Sequence, residues 1–583
     1  MAWLSDWATR ISITIDSSKI DSNLTNFPLL IPLTPGTITD NIFDEVGENS
    51  KKIAITDDSG SQCYTEIESW DNASSTAYLW TKVPHIDSVE DTSIYLYYDS
   101  LQDGSTAYVG SHDKIDTSTG IRLEPDTSPY TATTLTTDVD LVDGDRGTAA
   151  SNWWLADYSY GVDFGEAQTF DEIRVYGVDS GGSPLGTSYL GSDYDTVEVF
   201  VSDDNSSWSS VESFDAPTVT QRTDCSYMTL SLSTVQTSRY VKVVCTDSEN
   251  IADSSGSTWY VTEVEAYAGI TAAQNVWDSD FVGVWHMNQD PNGDVADSIK
   301  DSTVSGSHGT PEGSMATEDL VSAKIGGGIE FDGSDDDIYF SHDEPKGAKT
   351  ISAIVQKDSG DYLEILATTG HNDYHGTEVK VNSGDMMIRF SIGTGSNAYE
   401  LNYTHDFSDY THIAHTWDGT TGANTAKLYV NGTLVTSDTS SSTQTADTWK
   451  VPHIAKHFGS WSNHWGSGIV DEVRASQVDR SDAWIKADYY SCFDDLITFG
   501  SIESNYYFSG YTQIDGTGTG PRTIYAFRRD NGTFMGSTTS SGNGYFYLST
   551  TYSGSHLIVA LDDDGGSDYN DLIFGRVYPA TSF

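Results

Sequence analysis

Positive charge is what this chain is short of. Its 583 residues include 29 Lys and Arg against 87 Asp and Glu, a formal net charge of −58. A small soluble domain typically carries a net charge of about 2–8, so even several domains would not sum to this value. The imbalance argues against DNA, RNA or an anionic bilayer as a direct partner, because their phosphates would be repelled. Self-repulsion on this scale destabilises a compact state in ordinary saline. At molar salt the screening length falls to about 3 Å and the repulsion largely disappears. The charge therefore points to a protein of a halophilic host, with an acidic secreted or marine surface protein as the other reading.

Cysteine is scarce as well. Cys63, Cys225, Cys245 and Cys492 are too few for a disulfide scaffold. Cys225 and Cys245 could pair across strands of one module, while Cys63 and Cys492 read as small buried hydrophobes. No Cys-x-x-Cys pair exists, which leaves no thiolate zinc site to expect. No apolar run approaches the roughly 18 residues of a membrane span, so no membrane insertion is expected. The opening MAWLSDWATR has no basic start followed by an apolar run, so no secretory signal peptide is expected either. There is no Gly-x-Ser-x-Gly elbow, His-Glu-x-x-His helix or phosphate-binding Gly-Lys-Ser/Thr loop. The expectation is a protein that is not an enzyme.

What is present favours strands. Gly, Tyr, Ser and Thr are abundant and helix-favouring stretches are few, so the chain reads as all-β, with short strands joined by turns. Its length calls for roughly three to five domains. Residues 1–108 alternate in short runs (ISITID, FPLLIPL, KKIAIT, TEIESW, AYLWTKV, SIYLYY), the period-two pattern of a β-sandwich. Residues 109–136 are polar and read as a connector. New strand patterns run through 137–270 and 271–495, with one short helix around Trp484. A last set from 503 to 583, with Asn531-Gly532 and Gly542-Asn543-Gly544 turns, reads as a small sandwich.

Four resemblances follow from these segments. WATRISITID, LTNFPLLIPL, EIESWD, LWTKVP and IYLYYDS resemble a domain of unknown function found in prokaryotic and viral surface proteins. TDVDLVDGDRGTAASNWW, YGVDFGEAQTFDEIRVYG, VEVFVSDDNSSW, SRYVKVVCTD and WYVTEVEAYA resemble a discoidin (coagulation-factor type C) jelly roll, inserted between the first domain and the next. FVGVWHMNQD, KIGGGIEFDGSDDDIYF, THIAHTWDG, AKLYVNGTLV and GIVDEVRASQVDRSDAWIKADYYS resemble a concanavalin A-like, laminin-G-like jelly roll. The tail resembles carboxypeptidase-regulatory-like or transthyretin-like accessory domains. Together they imply serial β-sandwiches and jelly rolls with very few helices.

Candidate site residues fall in the middle two modules. Asp143, Asp145 and Thr148 stand at positions 0, +2 and +5 of the DGDRGT loop, with Glu263 on the closing strand. A tight Gly-containing loop can turn such oxygens toward one calcium ion, which takes about six to eight oxygen ligands. The discoidin resemblance implies a structural calcium here, completed by the carbonyls of Asp140 and Thr262; an acidic turn in an acidic protein is the plain alternative. Trp154, Tyr158, Trp259 and Tyr260 are available to stack on sugar rings, although the Trp153-Trp154 pair matches the family's buried region. In the concanavalin-like module Asp301, Asp335 and Asp336 could ligate calcium. Trp461, His464 and Trp465 suit a saccharide platform or, equally, a hydrophobic plug between domains. The Asp562–Asp568 run fails the EF-hand template and reads as a solvated acidic turn.

The function implied is structural and recognitive: a tail fibre or capsid appendage of a tailed virus of a halophile, binding host cell-surface glycans or glycoproteins and other virion proteins. A homo-oligomer would add avidity to weak sites. A secreted or cell-surface adhesin of a halophilic or marine prokaryote is the competing reading. The charge argument has a direct check. The fold should melt at a markedly higher temperature in molar NaCl than in dilute buffer, and equal melting temperatures would remove the halophile reading.

Overall fold

The computed structural model describes residues 3–4, 7–36, 38–102, 104–112, 119–123, 135–137, 159–178, 196–215, 219–221, 225–245, 260–267, 270–294, 298–340, 347–357, 363–366, 375–381, 384–392, 397–443, 452–457, 464–514, 517–518, 521–550, 552, 554–561 and 572–579. It is about 56% strand and 7% helix, an all-β chain of sandwiches and jelly rolls. No helix among the described residues is long and apolar enough to cross a membrane.

The N-terminal unit packs two four-stranded sheets face to face. One runs Ile53–Thr56, Thr92–Tyr98, Thr9–Ile15, Ile497–Ser504; the other runs Leu24–Leu33, Thr76–Ile86, Thr65–Asp71, Val109–Gly110. Period-two alternation sends Ile11, Ile13, Ile15, Ile94 and Leu96 into the space between them. The opposite face of the first sheet carries Tyr95 and Tyr97 beneath Trp3 and Trp7. Arg10 lies there with its guanidinium 4.1 Å from the Trp3 ring centre and 4.0 Å from that of Tyr95.

The last strand of that first sheet comes from the far end of the chain. Residues 497–504, between and at the edges of the segments drawn as 271–495 and 503–583, pair antiparallel with Thr9–Ile15, from Ile15 opposite Ile497 to Thr9 opposite Ser504. An edge strand with unpaired N–H and C=O groups needs cover, and the returning chain supplies it. The apolar core is continuous in the same way. One cluster joins Leu29, Trp80 and Leu96 of the N-terminal unit to Trp277, Ile354, Tyr429 and Ile485. The connector is also partly structured. Thr119–Leu123 pairs with Ser159–Val178 and with Leu135–Thr137, so these strands belong to the discoidin-like sheet.

That sheet is built on two 20-residue strands, Ser159–Val178 and Ser226–Cys245, which pair antiparallel through two register shifts. Such bulges bend a long strand and sharpen its twist, here between Asp163 and Gln168 and again between Phe170 and Glu172. Cys225 is buried, and the side chain of Cys245 lies outside the described residues. Cys63 and Cys492 are buried in the shared core.

The concanavalin-like module has a large sheet in the order Leu320–Ser322, Gly327–Asp332, Ser467–Ser476, Lys349–Gln356, Thr411–Trp417, Ala426–Val430, Thr433–Asp438, with Phe281–Trp285 also paired to Ser467–Ser476. Over it lies a four-stranded sheet from Leu363–Ile365 to Asn397–Tyr403. The helix expected around Trp484 spans Asp482–Cys492 and is capped by Ser481, whose side chain accepts from the Trp484 N–H. It docks on the N-terminal unit: the Trp484 ring meets Phe27 edge-on at 5.0 Å, and Ser491 Oγ accepts from the Leu30 N–H at 2.9 Å. The C-terminal sheet runs Phe534–Thr539, Thr523–Arg528, His556–Ala560, Leu572–Val577.

Between the N-terminal unit and the concanavalin-like module the seam is ionic as well as apolar. Arg474 is buried, donating to Glu472 at 2.7 Å and to Asp488 on the helix at 2.6 Å, with its guanidinium 4.3 Å from the Trp80 ring centre. His412 lies 3.2 Å from the other Asp488 oxygen. Burial opposes ionisation of Asp488, but Arg474 and His412 outweigh it and hold the carboxyl at about 2. Because this pKa lies below the unfolded value, the stabilisation is present above about pH 4 and is lost as pH falls through about 2. Asp488→Asn leaves Arg474 short of a charged partner and should cost ~3–5 kcal/mol at neutral pH. In denaturant titrations the gap between wild type and variant should narrow between about pH 4 and pH 2; a pH-independent gap would refute this assignment.

Candidate functional site

The sequence-derived candidates are only partly brought together. Asp140, Asp143, Asp145, Thr148, Trp154, Tyr158, Trp259 and Trp461 lie outside the described residues, as does the Asp562–Asp568 run. Thr262 and Glu263 are wholly buried on the strand Tyr260–Tyr267. Tyr260 packs against a cluster of Tyr176, Val178, Cys225 and Tyr227, which makes it part of a core wall rather than an open stacking face.

Asp301 does not join Asp335 and Asp336. It is fully buried and accepts from the backbone N–H groups of Val284, Thr303 and Ser307 at 2.8–3.0 Å and from the Thr303 hydroxyl at 2.9 Å. Its oxygens are committed to shaping the Thr303–Ser307 loop. Burial raises its pKa to about 6 against the pull of those donors.

Asp335 and Asp336 do meet, and a third carboxylate meets them. In the turn joining Gly327–Asp332 to Asp337–Phe340, carboxylate oxygens of Asp332, Asp335 and Asp336 lie within 4.8 Å of one another. Gly333 has φ of +80°, the left-handed conformation this turn requires. The loop also packs over Gly313, where a Cβ would come 2.1 Å from the Asp335 carbonyl oxygen. Asp336 is buried and accepts from the Asp332 N–H at 3.0 Å; Asp332 and Asp335 are exposed. Burial, with Asp332, Asp319 and Asp335 nearby, raises the Asp336 carboxyl to about 6. Three converging carboxylates, two of them exposed, are a partial shell for a hard cation such as calcium, whose remaining positions water or hydroxyl groups can fill.

The neighbouring Asp337 points the other way. It is buried, 2.7 Å from His453 Nδ1 and 2.9 Å from Lys456 Nζ, and Lys456 also reaches Glu312 at 3.3 Å. Lys456 pairs across a two-strand hairpin with Trp465, and His457 pairs with His464. Trp465 is half-buried. Asp332 pairs with Ser467, two residues beyond Trp465, so the acidic turn and this indole occupy neighbouring strand ends. Asp332 was not among the sequence-derived candidates. Its signal was there in FDGSDD, a carboxylate at 0, +3 and +4 about a glycine turn.

Comparisons with known proteins agree with this module order. Family models match residues 49–112 (Domain of unknown function, DUF2341), residues 126–260 (F5/8 type C domain) and residues 332–486 (Concanavalin A-like lectin/glucanases superfamily). No curated protein matches the chain. Similar solved structures include the binding domain of botulinum neurotoxin DC in complex with rat synaptotagmin II, at 10% identity and a TM-score of 0.28 over 50% of this chain and 69% of that one. Another is the binding domain of botulinum neurotoxin serotype C1, at 14% identity and a TM-score of 0.29 over 51% of this chain and 69% of that one.

Calorimetric titration checks the acidic turn. Calcium should bind with a dissociation constant on the order of 0.1–1 mM. Asp332→Asn combined with Asp336→Asn should bind one equivalent fewer than wild type, and unchanged stoichiometry would exclude the turn as a calcium site.

Proposed function

We propose that this chain is a non-enzymatic glycan-binding protein displayed at an external surface, as a tail-fibre or capsid appendage of a tailed virus of a halophilic host. The glycan part is carried by one observation: three clustered carboxylates on a lectin-type jelly roll, with Trp465 two residues before Ser467, the strand partner of Asp332. A calcium ion held by Asp332, Asp335 and Asp336 would present open positions to vicinal sugar hydroxyls. Trp465 would offer an apolar face to the ring. The discoidin-like module, also a binding fold, would supply a second contact and hence avidity.

The surface placement is supported by three modules of surface-protein type in tandem and by a charge of −58, which suits a particle or envelope facing brine. The virion is the finer reading, and antibody labelling of purified particles against cell envelopes separates it from a cellular adhesin.

The glycan reading has its own test. On a glycan array in molar NaCl with calcium, the chain should bind a restricted set of sugars, and chelation should abolish that binding. Trp465→Ala should weaken it about tenfold, or ~1.4 kcal/mol. Silence across the array, or binding indifferent to both chelation and Trp465→Ala, would discard this site.

A further inference from the structure

The C-terminal sheet is apolar on both of its faces. Three of its strands, Thr523–Arg528, His556–Ala560 and Leu572–Val577, read TIYAFR, HLIVA and LIFGRV, and in IYAF, LIVA and LIF the apolar residues run on without alternation. Uninterrupted runs of this kind belong to strands covered on both sides. One side is accounted for: Ile524, Ala526 and Ile558 close a small core with Phe508 and Leu548.

The register collects the remaining apolar residues on the outer side. Phe527 stands opposite Phe534 on one neighbouring strand and Leu557 on the other. Tyr525 stands opposite Val559, and Val559 opposite Ile573. Directly opposed residues share a face, as do residues two apart on one strand, so these six side chains form one patch. Its three aromatic rings adjoin, with centres 5.6–6.3 Å apart. Phe534 and Ile573 are 54% and 59% exposed, and the other four are half-buried. A continuous apolar patch open to solvent marks an interaction surface.

Charge selects what can cover it. Residues 505–583 hold four basic and seven acidic side chains, a net of −3, which leaves −55 for residues 1–504. The four strands of the sheet hold no Asp or Glu, and they carry Arg528 and Arg576. A bulge opposite His556 and Ile558 turns Val577 toward the core and leaves Arg576 exposed on the outer side, beside the Leu557 strand. A contact through residues 1–504 would set two strongly acidic surfaces against each other. A contact through this sheet sets apolar rings against apolar rings, while the arginines of each copy meet the field of the other copy's acidic body.

We infer that this face is a self-association surface, on which the C-terminal sheets of two copies pack face to face about a two-fold axis. With strands about 4.8 Å apart and about 3.3 Å per residue, four strands of five or six residues offer roughly 350 Å2. Stable interfaces bury about 800 Å2 per partner, so the pairing is weak and depends on concentration. It asks nothing of the glycan-binding reading, although pairing would double the sites presented together.

Sedimentation equilibrium on the full chain in molar NaCl tests this. A monomer–dimer equilibrium should appear with a dissociation constant on the order of 10–100 µM, weak as befits a contact of this size. Salt screens the repulsion between the acidic bodies and spares an apolar contact, so dimerisation should strengthen from about 0.2 to 3 M NaCl. Phe534→Asp with Ile573→Asp should lower the association constant at least tenfold. Val89→Asp, at an exposed apolar residue of the N-terminal unit, should leave it unchanged. Should the double Asp variant fail to fold, Phe534→Ser with Ile573→Thr takes its place and should weaken association in the same direction. A chain that stays monomeric at about 200 µM would overturn the proposal and leave the face to a partner of another kind. Association that salt weakens, or that the face variants leave intact, would overturn it as well.

Discussion

A guanidinium with no access to water must be matched by carboxylates at hydrogen-bond distance, and at Arg474 that requirement organises the middle of the molecule. Losing one partner of such a pair exposes an uncompensated buried charge. Arg474 therefore demands that its own strand, the helix Asp482–Cys492 and the Trp80 strand of the N-terminal unit arrive together. The continuous apolar core and the pairing of Thr9–Ile15 with Ile497–Ser504 follow the same path. Two modules distinct in sequence thus form one packed body. The discoidin-like module leaves that body after Val109–Gly110 and rejoins it at the helix Ile270–Gln274, which packs against Val109–Gly110 and Thr65–Asp71. Lys82 Nζ ties the re-entry point by donating to the Asn275 carbonyl at 2.9 Å. Because exit and entry adjoin, a whole jelly roll can be looped out without disturbing the seam.

Carboxylates serve this protein in three ways. Many organise turns: Asp57, Asp71, Asp87 and Asp204 each accept N–H groups from residues two to four positions on. Such Asx turns fix the short connections between strands and keep their charge in solvent. Others are buried with matched partners, as at Asp337 with His453 and Lys456. A few gather without a cation to neutralise them, as in the Asp332–Asp336 turn. This last class offers positions to a ligand at the surface.

Strand pattern and turn chemistry made much of the fold legible: the alternation in ISITID and SIYLYY, the all-β class, the module order and the helix at Trp484. What they could not show was partnership across distance. Alternation says that Ile497–Ser504 has a buried face but not that its mate lies at Thr9–Ile15. It also places Asp471 and Glu472 on opposite faces, and only a bulge in Ser467–Ser476 brings both inward. At the site, Asp335 and Asp336 stood out as a run, while Asp332 was hidden by the turn that folds it back. Asp301 looked like a ligand because composition cannot tell a carboxylate open to a cation from one surrounded by backbone donors. His286 carried no motif at all, since its contacts with Glu66 and Glu472 exist only once two modules have docked.

Native-state hydrogen exchange followed by mass spectrometry in rising denaturant tests the shared body most directly. Peptides covering Thr9–Ile15, Thr92–Tyr98, Ser467–Ser476 and Asp482–Cys492 should lose protection together, at one opening free energy. If Thr9–Ile15 and Thr92–Tyr98 opened well before Ser467–Ser476, the two modules would be independent and the account of the seam would be wrong.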